Sequence, residues 1–272
     1  MSYDVLVIGG GPAGLSAAVN ARARGAEVLV VSNPLEENSL WPSKSVDNHL
    51  GMPNVSGAEM LKVFRAHAER SGAEMRTGKV LNCMRMGDTW YVGIGSDMEN
   101  ARAIVLAAGV ARGKKFAGEA EFLGRGVSYC ATCDGMLYRG KEVAVLGYSE
   151  SAAAEAEFLA QLGCSVTYFD RPKECRIEGA NTVEQIVCDG ESLPVDAVFI
   201  LRPTMAPTEL FPGLEVEDGG VSVNRKMETN LPGVFAAGDC TGGPLQVSKA
   251  VGEGLVAGQS AARYAAEAKR KK

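Results

Sequence analysis

The sequence predicts an α/β protein built from two Rossmann-like units. Three observations carry this: a buried strand running into a Gly-rich turn and an Ala-rich helix at the N-terminus, a second strand–turn–helix about 135 residues later, and a glycine excess. Glycine accounts for 33 of 272 residues, about 12% against a usual value of roughly 7%. There is no collagen-like period, so the excess belongs in tight turns and close backbone approaches.

Residues 3–8 form an almost continuous apolar run, as expected of a strand covered on both faces. Gly9-Gly-Gly-Pro-Ala-Gly14 follows, then an Ala-rich helix to about Arg24, stopped by Gly25, and a second buried strand over 27–31. This is a βαβ unit. Residues 58–70 read as a helix with Met60, Leu61, Phe64 and Ala68 on one side. Strands follow near 75–84, 89–95 and 102–107, with a meander between them and Gly109 at the end. The second βαβ unit starts at 142–147, continues through a helix at about 150–162, and reaches a strand at 165–169. Short strands are expected at 183–188 and 197–201. Val234 to Asp239 is a strand closed by a glycine turn, and 246–266 is a last helix rich in Ala and Gly. Turns at Arg112-Gly-Lys-Lys and Pro212-Gly mark domain boundaries near 112 and 212.

Composition narrows the function. Hydrophobic residues make up 46% and charged residues 22%, and the net charge is -5. That balance suits a soluble globular chain and argues against nucleic acid or an anionic membrane surface as partner. No apolar stretch has the roughly 18 to 20 residues of a membrane helix, and the N-terminus enters a strand without a basic leader. Seven cysteines, an odd number, do not suggest a secreted disulfide framework, so a cytoplasmic chain is expected. With only His49 and His67 present, a His-rich metal site or Ser-His-Asp triad is not expected, and the metal prediction is none. The basic run Lys269 to Lys272 reads as a solvated helix end.

Three motifs carry chemistry. In Gly9-x-Gly11-x-x-Gly14 the glycines permit a sharp turn, approach of a pyrophosphate and tight helix–strand packing, with the helix N-terminus facing the anion. The alternative is a Gly-rich turn without a ligand. The acidic residue that would hold a ribose about 20 residues on is missing; Ser32 or Asn33 stands at that strand end. The second motif is Cys130-Ala-Thr-Cys133-Asp134. Two cysteines three apart can close a small disulfide ring, and an adjacent carboxylate can manage the thiol proton. Zinc would need two more ligands at finger-like spacing, and Cys164 and Cys175 do not offer it; two structural thiols are the remaining alternative. Cys83, Cys164, Cys175, Cys188 and Cys240 are expected to be inert. The third motif, Gly238-Asp239 at a strand end before the last helix, can hold a cofactor's polyol chain; a plain strand-to-helix turn is the alternative.

With these motifs in order, the chain resembles the low-molecular-weight thioredoxin reductases, FAD-dependent disulfide oxidoreductases. The resemblance runs nearly end to end. It rests on the first Gly-rich loop, Val46-Asp-Asn48 before His49-Leu-Gly51, Ala107-Ala-Gly109, Gly126 to Gly135, and Met227 to Asp239 with Gln246. It implies FAD held by a discontinuous domain, 1–111 with 212–272, around an inserted and smaller domain, 112–211. The FAD-binding residues it implies are Gly9, Gly11, Pro12, Ala13, Gly14, Ser32, Asn48, Ala108, Gly109, Gly238, Asp239 on the ribityl chain, and Gln246 with Val247 on the flavin ring. It implies that Cys133 exchanges electrons with the isoalloxazine, that Cys130 attacks the partner's disulfide and that Asp134 is the acid/base. It also implies a homodimer with thioredoxin as partner.

The departures from that family narrow the electron donor. Its NADPH-using members carry a second Gly-rich loop and a His-Arg-Arg-x-x-x-Arg cluster. Here the loop reads Gly147-Tyr-Ser-Glu-Ser-Ala152, where Tyr148 adds bulk, Ser149 replaces a glycine and Glu150 adds negative charge. The cluster reads Asp170-Arg-Pro-Lys-Glu-Cys-Arg176. A carboxylate repels a phosphate and Pro172 offers no donor. The chain therefore looks like the ferredoxin-dependent flavin thioredoxin reductases, which implies reduced ferredoxin as donor. NADPH or NADH, a reduced deazaflavin or second flavin, a different thioredoxin-like acceptor, and a flavin redox sensor without turnover remain as alternatives. Arg112, Lys114, Lys115, Arg125, Arg139 and Lys141 are candidates for a basic patch that would meet an acidic ferredoxin; a solvated face is the other reading.

Overall fold

The computed structural model describes residues 2–110, 115–149, 151–202 and 205–270. The elements in chain order are β1 (Ser2–Ile8), α1 (Pro12–Arg22), β2 (Val28–Ser32), α2 (Gly57–Arg70), β3 (Glu74–Thr77), β4 (Val80–Met86), β5 (Thr89–Ile94) and β6 (Asp97–Leu106). Then come β7 (Val127–Ser128), α3 (Ala131–Asp134), β8 (Glu142–Gly147), α4 (Ala152–Gln161), β9 (Ser165–Asp170), β10 (Cys175–Glu178), β11 (Gln185–Cys188), β12 (Glu191–Pro194) and β13 (Ala197–Leu201). The chain closes with α5 (Pro207–Leu210), β14 (Val216–Glu217), β15 (Gly220–Val221), β16 (Val234–Ala236) and α6 (Val247–Arg270).

The chain divides into two compact units, 1–111 with 204–272 and 112–203. Residues 205–211 thus fall with the first unit rather than with 112–202. Phe211, fully buried, packs edge-on against Trp90 there.

The first unit holds a seven-stranded sheet, six strands in the order β3-β2-β1-β6-β5-β4 and a seventh, β16, paired with β6. Strands β1, β2, β3 and β6 are parallel, as βαβ connections require, while β4, β5 and β6 form the expected antiparallel meander. Strand β6 serves two partners on one edge. Its first half pairs with β5 (Ala101 opposite Trp90) and its second half pairs in parallel with β16 (Ile104 opposite Val234). The single strand expected over 75–84 is instead two, because the chain leaves β3 at Thr77 and pairs with a different neighbour from Val80 onward. Helix α6 lies on α1 because their facing residues are small. A Cβ on Gly254 would come within 2.1 Å of the Ala13 carbonyl oxygen, and one on Gly258 within 2.2 Å of that of Ala17. The core between helices and sheet is correspondingly rich in Ala and Val.

The second unit is a four-stranded parallel sheet, β7-β13-β8-β9, beside a three-stranded antiparallel sheet, β10-β11-β12. Its core joins Ala131, Val143, Val145, Leu159, Phe199 and Leu201. Strands β7, β10 and β12 carried no clear pattern in the sequence. Among the described residues no helix is long and apolar enough to cross a membrane.

Candidate functional site

The first Gly-rich loop is built as its spacing demands. Gly9 has a positive φ of 114°, and a Cβ there would stand 2.2 Å from the Ala107 carbonyl oxygen. A Cβ on Gly14 would meet the Gly9 carbonyl at 1.9 Å. Helix α1 starts from Gly11 with Pro12 in its first turn, no side-chain cap and no acidic residue there, which suits an anion at its N-terminus. Other predicted residues converge on this end. Ala108 and Gly109 follow the Ala107 carbonyl that packs on Gly9. The Ser32 hydroxyl lies beside Gly10, and a Cβ on Gly238 would stand 2.7 Å from that of Ala13. Asn38 was not foreseen: its Nδ2 lies 3.1 Å from a Cβ placed on Gly11. It follows a short turn, Leu35–Glu37, and no motif spacing marks it.

The Gly238-Asp239 turn is held from α6. Lys249 Nζ donates to the carbonyls of Gly238 (2.9 Å) and Gly242 and to the Thr241 hydroxyl (3.0 Å). Glu253 accepts from the Gly238 amide at 2.9 Å and from Thr241 Oγ1 at 2.8 Å. Neither Lys249 nor Glu253 was foreseen; an i, i+4 charged pair early in the last helix was the available signal. Burial pushes the Asp239 carboxyl above its usual range, with Lys249 opposing and Glu253 adding to the rise. In the same unit Asn48 Nδ2 donates to Gln246 Oε1 at 2.7 Å, so two of the predicted FAD-binding side chains meet. They line an open cleft of about 460 Å³ together with Val46 and Val247. The glycine cradle, the bare helix end and this cleft fit a dinucleotide cofactor such as FAD.

In the second unit, Cys130 and Cys133 are joined as a disulfide, with Cα atoms 5.4 Å apart. Cys130 caps α3: its Sγ accepts the Cys133 amide at 3.2 Å and lies 3.3 Å from Thr132 Oγ1. Cys133 is exposed and Cys130 half-buried. Asp134 is tied back by Ser128, whose hydroxyl lies 2.7 Å from Asp134 Oδ2 and accepts the Cys130 amide at 3.1 Å. Dithiol and carboxylate therefore sit together, with Ser128 unforeseen between them.

One expectation about the cysteines is overturned. Cys175 and Cys188, expected to be inert thiols, form a second disulfide. They face each other in register across β10 and β11, a pairing hidden in the sequence because the hairpin itself was not recognised. Cys83, Cys164 and Cys240 are free and buried, and burial pushes all three thiols up.

The second Gly-rich loop is closed on itself. The amides of Tyr148 and Ser149 both donate to the Leu201 carbonyl, at 2.9 and 3.0 Å. The Tyr148 hydroxyl donates to the Pro172 carbonyl at 2.6 Å, and its ring stacks on Phe116. Burial pushes this phenol up to about 12, with Arg202 pulling the other way, so it remains a donor at neutral pH. A Cβ on Gly147 would stand 2.2 Å from the Tyr168 hydroxyl. Beneath the loop, fully buried Glu119 accepts from Arg202 (2.9 Å to Oε2), Tyr129 (3.0 Å) and the Phe116 amide (2.9 Å). Of the altered cluster, Asp170 and Arg171 are exposed, and Arg176 pairs with Glu178. Lys115, Arg125, Arg139 and Lys141 are exposed; Arg112, Lys114, Glu150, Lys271 and Lys272 lie outside the described residues.

The chain matches the model for the pyridine nucleotide-disulphide oxidoreductase family over residues 3–178 and 171–254. A thioredoxin reductase of Listeria innocua is 32% identical over 303 aligned positions, covering 98% of this chain and 95% of that protein. Among solved structures, a ferredoxin-flavin thioredoxin reductase from Clostridium acetobutylicum superposes with a TM-score of 0.92 at 36% identity, over 99% of both chains. A thioredoxin reductase from Gloeobacter violaceus superposes with a TM-score of 0.85 at 29% identity, over 100% of this chain and 96% of that one.

Proposed function

The chain belongs to the pyridine nucleotide-disulphide oxidoreductase family, among its thioredoxin reductases, and from that premise we propose that it is a homodimeric FAD enzyme that reduces thioredoxin with electrons from reduced ferredoxin. The observation that carries the choice of donor is the closed second loop. In a dinucleotide-binding turn the loop amides point at the pyrophosphate. Here two of them are used by the Leu201 carbonyl, and the Tyr148 ring spans from that loop to Pro172. Glu155 in the first turn of α4 adds a charge that opposes an anion. The likeness to the ferredoxin-flavin thioredoxin reductase of C. acetobutylicum supports the same reading.

FAD would be held by Gly9, Gly11, Pro12, Ala13 and Gly14 at the pyrophosphate, with Ser32, Ala108, Gly109 and Gly238 around them. Asp239 would take the ribityl chain and Asn48, Gln246 and Val247 the ring. When bound, FAD supplies chemistry that takes electrons singly and delivers them in pairs. The protein's own steps follow from the dithiol. In the reduced enzyme the Cys133 amide and the Thr132 hydroxyl stabilise a thiolate on Cys130. That thiolate attacks one sulfur of the thioredoxin disulfide; the S–S bond of thioredoxin breaks and a mixed disulfide forms. Asp134, holding the proton taken from the Cys130 thiol, gives it to the departing thioredoxin sulfur. The Cys133 thiol then attacks the Cys130 sulfur and the Cys130–thioredoxin bond breaks; the Cys133 proton passes to the second thioredoxin sulfur, which restores the Cys130–Cys133 disulfide and releases dithiol thioredoxin.

Steady-state assays with thioredoxin and either photoreduced ferredoxin or NADPH test the reading. Turnover with ferredoxin and none with NADPH or NADH is expected. Turnover with NADPH at a comparable rate would overturn the donor assignment while leaving the disulfide chemistry in place.

A further inference from the structure

Ser128 ends β7, is only 4% exposed, and lies opposite Phe199 of β13, so its backbone is fixed by the sheet. Its hydroxyl has three polar neighbours: Asp134 Oδ2 at 2.7 Å, the Cys130 amide nitrogen at 3.1 Å and the Cys130 carbonyl oxygen at 3.3 Å. A serine hydroxyl has one hydrogen and two lone pairs. The amide can only donate, so it uses a lone pair. The hydrogen goes to one of two acceptors, and the carboxylate is both closer and charged, which makes it the stronger partner. The resulting order is Cys130 N–H to Ser128 Oγ, and Ser128 O–H to Asp134 Oδ2. The backbone of the half-buried cysteine and the acid/base carboxylate thus share one hydroxyl, itself anchored in the parallel sheet.

We propose that Ser128 is a positioning residue for the thiol–disulfide step: it fixes the Asp134 carboxyl against Cys130 and determines which oxygen carries the transferable proton. With Oδ2 engaged as acceptor, the proton of the acid form resides on Oδ1. That proton comes from the Cys130 thiol as it ionises, and from Oδ1 it passes to the thioredoxin sulfur that departs when the Cys130 thiolate forms the mixed disulfide. The S–S bond of thioredoxin breaks, the Cys130–thioredoxin bond forms, and Asp134 is left as the carboxylate. Without the hydroxyl, the carboxyl rotates about χ2 and either oxygen can carry the proton. This inference rests on the role given above to Asp134.

The test is single-turnover transfer from dithionite-reduced, washed enzyme to oxidised thioredoxin under anaerobic conditions, which removes the electron donor from the experiment. Ser128→Ala is expected to slow mixed-disulfide formation about tenfold or more, as loss of a charge-assisted hydrogen bond implies, with the KM for thioredoxin unchanged in steady state. Ser128→Thr, which keeps the hydroxyl, should recover most of the rate. In an Asp134→Asn background the Ser128→Ala change should have no further effect, because its action passes through the carboxylate. Full additivity of the two changes, or an unchanged rate in Ser128→Ala, would overturn the proposal. If the reduced unsubstituted enzyme transfers nothing to thioredoxin, the disulfide-reductase reading itself fails, and with it the inference.

Discussion

The Cys175–Cys188 disulfide is the clearest structural commitment of the second unit, and its contribution can be worked out. The two cysteines are 13 residues apart, and loop-closure entropy for a ring of that size is about 3 kcal/mol at 25 °C. The other ties of this segment are short ladders and a small buried face. Strands β10, β11 and β12 have four residues each. They bury Ile177 and Ile186 on one side, and Asp189 accepts the Lys173 and Glu174 amides at the turn. Replacing both cysteines by alanine should therefore raise the population of the opened sheet about a hundredfold, at 1.4 kcal/mol per decade. Tryptophan fluorescence will not see this, since Trp41 and Trp90 both belong to the first unit. Amide hydrogen exchange will. The Ile177 amide, bonded to the Ala117 carbonyl at 2.9 Å, should exchange about two orders of magnitude faster in the double variant. Exchange within threefold of the unsubstituted protein would refute the argument and mean that packing alone holds the sheet.

Four further outcomes follow from the structure. Glu119→Gln leaves Arg202 buried without its charge partner and should destabilise the second unit by about 3–5 kcal/mol in urea unfolding followed by circular dichroism. Burial raises the Glu119 carboxyl, but Arg202, the Phe116 amide and Tyr129 more than offset it, and the net shift is downward. Its share of stability is therefore complete above the unfolded carboxylate range and is lost as pH falls through the lower folded value; a flat stability profile in acid would contradict this. Gly9→Ala forces a Cβ against backbone at a positive φ, so purified protein should carry less than a tenth of the unsubstituted FAD content by absorbance. In Cys133→Ser the resolving thiol is missing, and a thioredoxin adduct on Cys130 should accumulate on non-reducing gels; an adduct formed instead in Cys130→Ser would reverse the roles of the two cysteines.

Much of this architecture was legible in the sequence, because βαβ units are local. Continuous apolar runs, a Gly-rich turn and an Ala-rich helix lie within 30 residues of each other and need no distant partner to be recognised. The dithiol and its carboxylate were legible for the same reason, being adjacent in the chain. What was hidden depends on register and on reach across the fold. The β10–β11 hairpin has too few residues for alternation to show, so the pairing of Cys175 with Cys188 could not be read from their positions. Ser128 is two residues from Cys130, yet its role appears only when β7 turns its hydroxyl onto Asp134. Lys249 and Glu253 look like an ordinary helix surface pair until the Gly238 turn is folded against them. The altered second loop was visible as unusual residues, but the use of its amides by Leu201, 53 residues after Tyr148 in the sequence, required the strand order β13-β8-β9.

The central claim is that electrons reach the Cys130–Cys133 pair without a pyridine nucleotide. Its most direct test is optical and anaerobic. The FAD-loaded enzyme is mixed in separate cuvettes with excess NADPH, NADH or photoreduced ferredoxin, and the flavin absorption is followed before and after oxidised thioredoxin is added. Bleaching by ferredoxin alone, reversed on addition of thioredoxin, is the predicted result. Rapid bleaching by NADPH would contradict the account and would mean that the Tyr148 loop opens to admit a nucleotide.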